Sequence, residues 1–292
     1  MEKQRPNLDV PRKTDIFDQE PVKQSFVNVL IGIHKMSKED AVTVYERESM
    51  YCKKIIFEND WLKESTGLSI YSSFLEIAIT GLSVQPGAKS EAYLEARSAK
   101  ATKDGKEVWI KVARLVVTAY GELNMRIRSG QIIRINNPIV LYEGDIFQPK
   151  TNGRGELTID YQPAIPRKSK NIFGVWCSVI LPHNGIDFKW LLEDDIARLM
   201  KYSTPKATQA NPNPAANALY SANSGQIDPG FLEAKCIKHA MRAYTKLKVS
   251  ENIAFEGDDP EDESQRNFAS QAPATPVVNI KQEPEEGENG VF

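Results

Sequence analysis

Three arginines, Arg126, Arg128 and Arg134, fall within nine positions of the stretch NMRIRSGQIIRI, residues 124–135. Guanidinium groups at that density suit oxyanions, because each offers a planar fork of N–H donors matching a carboxylate or phosphate. Similar density recurs elsewhere. Arg97, Lys100, Lys103 and Lys106 surround Asp104-Gly105, Lys111 and Arg114 follow, and Lys235, Lys238 and Arg242 crowd a late segment. Trp109, Tyr120, Tyr161, Phe173 and Trp176 are interleaved with them. Cations neutralise phosphates and ring faces support unstacked bases, so the pattern points to a nucleic-acid strand. Taken singly, the cations read as solvated, and Trp109, Tyr120 and Trp176 read as core. The clustering is what favours the strand.

The residues that could do bond-making chemistry are fewer. There is no Gly-x-x-x-x-Gly-Lys-Ser/Thr phosphate loop and no Gly-x-Ser-x-Gly elbow. His34, His183 and His239 share no metal-ligand spacing with Cys52, Cys177 and Cys236. Asp187-Phe-Lys189 and Glu193-Asp194-Asp195 could imitate the carboxylates and lysine of a metal-dependent nuclease. They read better as a strand face and as the acidic first turn of a helix, where the dipole favours negative charge. The expectation is a protein with no catalytic residue, no metal and no cofactor. Three scattered cysteines suggest no disulfide framework and fit a reducing compartment.

Charge is distributed unevenly. Residues 251–292 hold 11 Asp and Glu against 2 Lys and Arg, and the rest of the chain holds 28 against 35. A basic body with an acidic tail suits a polyanion binder or a protein with a docking tail. No apolar run is long enough to suggest a membrane span, and the polar start MEKQRPNLDVPRKTD has no apolar signal region.

The elements that must position these residues follow from periodicity. Residues 1–21 lack it and are expected to be a flexible N-terminus. Apolar spacing predicts helices over 22–33, 41–59 and 70–84. Ser37, with Asp40 three residues on, caps the second, and Gln85-Pro86-Gly87 ends the third in a turn. The period then changes to two. Strands over 91–99 and 107–113 join through Asp104-Gly105, a strong hairpin signal. Val116, Tyr120, Leu123 and Ile127 predict a helix over 114–129, with Gly130 at its C-terminal end. Strands over 131–147, 156–163, 172–181 and 186–191 read as an antiparallel meander. A helix over 193–203, a long mobile loop over 204–226 and a basic helix over 228–248 capped by Asp228 follow. The fold class is α+β, with one core over 22–250 and a disordered acidic tail over 251–292.

Within the predicted 114–129 helix, positions advance by about 100° each. Arg126 and Arg128 then flank the apolar stripe on opposite sides, so they do not aim at one phosphate. Arg114 and Arg128 lie closer together on the solvent side. Arg128, beside the Ser129-Gly130 break, is the favoured phosphate ligand. Arg126 is expected to brace a neighbouring element or subunit, and Arg134 to mark an outward strand face.

Residues 72–97, SSFLEIAITGLSVQPGAKSEAYLEAR, followed by residues 118–147, TAYGELNMRIRSGQIIRINNPIVLYEGDIF, resemble the RecT family of phage-type single-strand annealing proteins. The likeness rests on Leu82, Pro86-Gly87, Tyr120, Arg128-Ser129-Gly130-Gln131 and Glu143-Gly144-Asp145-Phe147, with a weaker match at 235–250. It implies a recombinase that coats single-stranded DNA and pairs it with a complementary strand without ATP, Mg2+ being at most an aid. It also implies a homo-oligomeric ring or helical filament, annealed duplex DNA as product, and a phage exonuclease and host single-strand-binding protein as partners. The setting would be the cytoplasm of a bacterial or phage-infected cell, with no membrane. The expected DNA contacts are Arg97, Lys111, Arg114, Arg128, Arg134 and Arg242, then Lys100, Lys103, Lys106, Lys235 and Lys238. The ending EPEEGENGVF, residues 283–292, is similar to the acidic, Phe-ending tails of bacterial single-strand-binding proteins. A nuclease and a self-assembling phage structural protein are the alternatives.

Overall fold

A computed structural model of the chain describes residues 5–103, 105–204, 213–245, 247 and 253–255. The N-terminal segment is drawn into the interior by two apolar side chains. Ile16 and Phe17 sit on a short 3₁₀ helix, Lys13–Asp18, and both are buried. The buried Tyr45 hydroxyl donates to the Phe17 carbonyl. The flexible segment expected over 1–21 is therefore corrected for this part: burying two large side chains repays the ordering of the backbone around them.

Four helices follow: α1 (Glu20–His34), α2 (Lys38–Glu58), α3 (Asp60–Lys63) and α4 (Gly67–Thr80). Ser37 caps α2 as its spacing predicts, its Oγ accepting from the Asp40 N–H at 3.1 Å. Asn59 caps α3, a single turn that the periodicity does not reveal. Phe26 and Phe74 stack with centroids 4.4 Å apart, and Phe17 meets Phe74 edge-on at 4.8 Å. These rings centre a core shared by α1, α2 and α4. At Gly67 an added Cβ would lie 2.0 Å from the Leu8 carbonyl oxygen, so only glycine lets the N-terminal strap cross there.

Strands β1 (Ala92–Lys103) and β2 (Lys106–Val117) form a hairpin of two twelve-residue strands. Their antiparallel register runs from Ala92 opposite Val117 to Lys103 opposite Lys106. Leu94, Leu115 and Val117 close the helical core from below. The predicted helix over 114–129 is corrected here. Residues 114–117 belong to β2, and helix α5 spans Ala119–Arg128, with the Thr118 hydroxyl accepting from the Gly121 N–H. Val116 fits either period, and pairing with Tyr93 across the hairpin decides the outcome.

A second body contains β3 (Arg134–Ile135), β4 (Ile139–Tyr142), β5 (Ile146–Thr151), β6 (Leu157–Gln162), β7 (Ile172–Ile180) and β8 (Ile186–Leu192). The meander expected from the sequence is present with finer divisions. Strand β7 is central: β3 and β4 pair successively along one side and β8 along the other, all antiparallel. Among the described residues, β5 and β6 pair only with each other. Helix α6 (Glu193–Ser203) follows β8, and α7 (Pro229–Met241) starts at Asp228, whose carboxylate accepts from the Phe231 N–H at 2.8 Å. One sheet face, Val175, Cys177 and Val179, packs against Leu232, Cys236 and Ala240 of α7. The free thiols of Cys177 and Cys236, far apart in sequence, come to 3.5 Å.

Helix α5 joins the two bodies, since Met125 lies in the first core and Leu123 packs against the second. Strand β9 (Ala254–Phe255) runs parallel to β2 at Val116 and Val117, and Ile253 is buried. Disorder from residue 251 onward is thus corrected at 253–255; the remaining tail lies outside the described residues. Within the 204–226 loop, Tyr220 is buried on a 3₁₀ turn, Ala218–Tyr220, and residues 205–212 lie outside the described residues. The helices expected over 70–84 and 228–248 stop earlier, at Thr80 and Met241. No helix among the described residues is long and apolar enough to cross a membrane.

Candidate nucleic-acid interface

The alternation of a strand sorts the hairpin cations onto two faces. Lys100 stands opposite Trp109, and Lys111 lies two residues on along the same face. Trp109 is 68 % exposed, which overturns its reading as core. The hairpin extends past the helices that would have covered it. The Lys100 Nζ lies 5.7 Å from the Trp109 centroid, and the Lys111 Nζ lies 4.2 Å from the centroid of Trp61 on α3. Trp61 is itself 53 % exposed. The result is a row of ring, ammonium, ring and ammonium, held partly by cation–π attraction. Each lysine also has a carboxylate at hand: Glu107 for Lys100 at 2.9 Å and Glu64 for Lys111 at 2.5 Å. Such surface pairs contribute about 0–1 kcal/mol and exchange readily.

Arg97 and Arg114 occupy the reverse face of the ribbon, where both Nε atoms donate to one oxygen of Glu95 at 2.9 Å. Lys106 shares that face by register and is exposed. Lys103 ends β1 opposite Lys106; its side chain and Asp104 lie outside the described residues. The hairpin set expected to contact DNA therefore does not form one plane.

The arginines of residues 124–135 are dispersed. Arg126 is buried and forms a brace: its Nε and Nη2 donate to the Glu122 carboxylate, and its Nη1 donates to Gln131 and to the Thr245 carbonyl. Arg128 donates to the carbonyls of Thr80 and Gly81 at 2.6 and 3.1 Å, closing the C-terminal end of α4. A cation there satisfies orphan carbonyls and complements the helix dipole. Burial lowers the Arg128 pKa, with nearby Glu91 opposing that shift. The phosphate-binding expectation for Arg128 thus meets a guanidinium already committed to backbone oxygens. Its expected neighbour Arg114 is on a strand, paired with Glu95. Arg134 is exposed on β3, opposite Ile180.

On α7, Lys235, Lys238, His239 and Arg242 fall within about 100° of arc, by helical spacing. Lys235 lies over the Phe231 ring at 4.9 Å, Lys238 is buried, and Arg242 is exposed beyond the last turn. Burial first, then Arg242, Lys189, Lys235 and Lys238, hold the His239 imidazole pKa down at about 4. The folded state therefore favours neutral His239, while the unfolded chain takes up a proton below about 6.5. Its stabilising contribution is complete above that pH and is lost as pH falls towards 4. A His239→Gln variant is expected to show a shallower fall in Tm than the parent between pH 6.5 and 4, measured by thermal melts across that window.

Two of the carboxylates that could imitate a nuclease, Asp187 and Asp195, have structural partners. Asp187 accepts from the Tyr244 hydroxyl at 2.9 Å. Asp195 accepts from the Leu192 N–H at the start of α6 and pairs with Arg198. Phe147, Tyr161, Trp176, Phe188 and Trp190 form a half-buried cluster beneath the β5–β6 ribbon, with centroids between 5.8 and 6.2 Å apart. These rings are mainly occupied with one another.

Trp61, Glu64, Glu95 and Glu107 were not singled out by the sequence pattern. Trp61 carried a usable signal: it directly follows an Asn59-Asp60 helix start, and Lys63 and Glu64 come within three positions of it. No protein-family model matches the chain, and no curated protein matches it.

Proposed function

We propose that this chain is a non-hydrolytic single-stranded DNA-binding protein that promotes annealing of complementary strands without ATP and works as a homo-oligomer. The observation that carries the reading is the row Trp61, Lys111, Trp109 and Lys100, in which both indoles are exposed. Indole faces accept unstacked bases of any identity, while adjacent ammonium groups neutralise the backbone. Stacking engages base faces and leaves the Watson–Crick edges open to a second strand. The excess of Lys and Arg over residues 1–250 lowers the repulsion that this strand meets on arrival. The resemblance of residues 72–97 and 118–147 to the RecT family points the same way.

The test is to mix the purified protein with two complementary oligonucleotides, Mg2+ and no nucleotide. Duplex is expected to form faster than in protein-free controls. Strand cleavage would instead support the nuclease alternative. Neither acceleration nor cleavage would overturn the annealing reading and favour a self-assembling structural protein.

A further inference from the structure

We propose that Arg97 and Arg114 form a phosphate cradle on the reverse face of the hairpin, with the Glu95 carboxylate occupying it as a built-in phosphate mimic. Two Nε–H donors from neighbouring strands converge on the same Glu95 oxygen, each at 2.9 Å. Glu95 stands opposite Arg114 in the register, and Arg97 lies two residues along the same strand face. The convergence differs from the Lys100–Glu107 and Lys111–Glu64 contacts, where one ammonium meets one carboxylate. Two guanidinium groups brought together repel unless an anion lies between them, so the site is shaped for a negative oxygen. A phosphodiester supplies that acceptor with the same preferred geometry towards guanidinium.

Accessibility fits an exchangeable plug. The Arg114 side chain is 17 % exposed, while those of Arg97 and Glu95 are 40 % and 35 % exposed. The cradle has a sheltered floor and an open rim through which a backbone can enter as Glu95 swings out. Its consequence is regulatory: Glu95 competes with each incoming phosphate, keeping single-strand binding reversible. The assignment of the phosphate to DNA rests on the single-strand reading, whereas the cradle does not.

Glu95→Gln removes the charge while keeping the side-chain length. This variant is expected to bind a labelled oligothymidylate roughly 2- to 5-fold more tightly than the parent. The plot of log affinity against log salt is expected to steepen by about one. Unchanged affinity and slope in a variant with parental Tm would overturn the cradle. Glu95→Asp, which retracts the plug but keeps the charge, provides a second variant if Glu95→Gln does not fold. It is expected to gain a smaller amount, and no gain counts against the proposal. Pyrophosphate separates the two readings in thermal melts. Selective stabilisation of Glu95→Gln by pyrophosphate, without oligonucleotide binding by either protein, keeps the cradle and rejects the DNA reading. Equal oligonucleotide binding by both proteins, with no pyrophosphate effect, does the reverse.

Discussion

Trp109→Ala is expected to weaken single-strand binding by roughly 5- to 150-fold, the range set by losing one base–aromatic stack worth about 1–3 kcal/mol. The indole is 68 % exposed on the projecting part of the hairpin. Its removal leaves no cavity, so Tm should stay near the parental value. That separation makes the variant informative. Loss of affinity with an unchanged melt assigns the ring to the ligand rather than the core. Trp61→Ala should act in the same direction, and Trp109→Phe should retain part of the binding because a ring face remains. Fluorescence anisotropy with a labelled oligonucleotide provides the measurement. Parental affinity in the Trp61→Ala, Trp109→Ala double variant would remove the stacking role.

A second large effect is expected at Arg126, on stability. Arg126 and Glu122 are 4 % and 8 % exposed and meet at 2.6 Å. Arg126→Ala strands a buried carboxylate and cuts the tie to the Thr245 carbonyl beyond α7. Breaking one partner of a buried pair costs about 3–5 kcal/mol. For a chain of this size that corresponds to a Tm fall of roughly 6 to 20 °C. The double variant Arg126→Met, Glu122→Leu should recover much of the loss, because it removes both buried charges and restores apolar volume. A single variant melting within a degree of the parent would show that water reaches Glu122 and that the brace carries little.

Sequence reasoning succeeded where local chemistry and tertiary context agree. Ser37 and Asp228 begin helices because their oxygens accept backbone N–H groups, a decision made within a few residues. Gly105 adopts φ +73°, as a hairpin turn after Asp104 requires. Strand β7 was legible because the face that carries Val175, Cys177 and Val179 is buried. The failures arise where distant residues decide. Val116 suits a helix or a strand until Tyr93 stands opposite it. Trp109 resembles a core residue until the hairpin carries it past the helices. Arg128 resembles a phosphate ligand until the end of α4 arrives with carbonyls to satisfy. Composition identified a cation-rich, ring-bearing surface, but could not divide it between two ribbon faces. Nor could it place Glu95 between two arginines, because Arg114 lies nineteen positions away and such a pairing has no periodic signature.

Strand β9 changes how the acidic C-terminus can be dissected. A boundary drawn after residue 250 from charge alone would discard Ile253, which is 4 % exposed, together with the two residues that extend the sheet beside β2. Such a truncation would combine loss of negative charge with loss of a structural clasp at the root of the hairpin. A cut just after Phe255 retains the clasp and still removes Glu256 and every later acidic residue. The two ends, compared side by side, separate what the tail does as a polyanion from what its first ordered residues do as part of the fold.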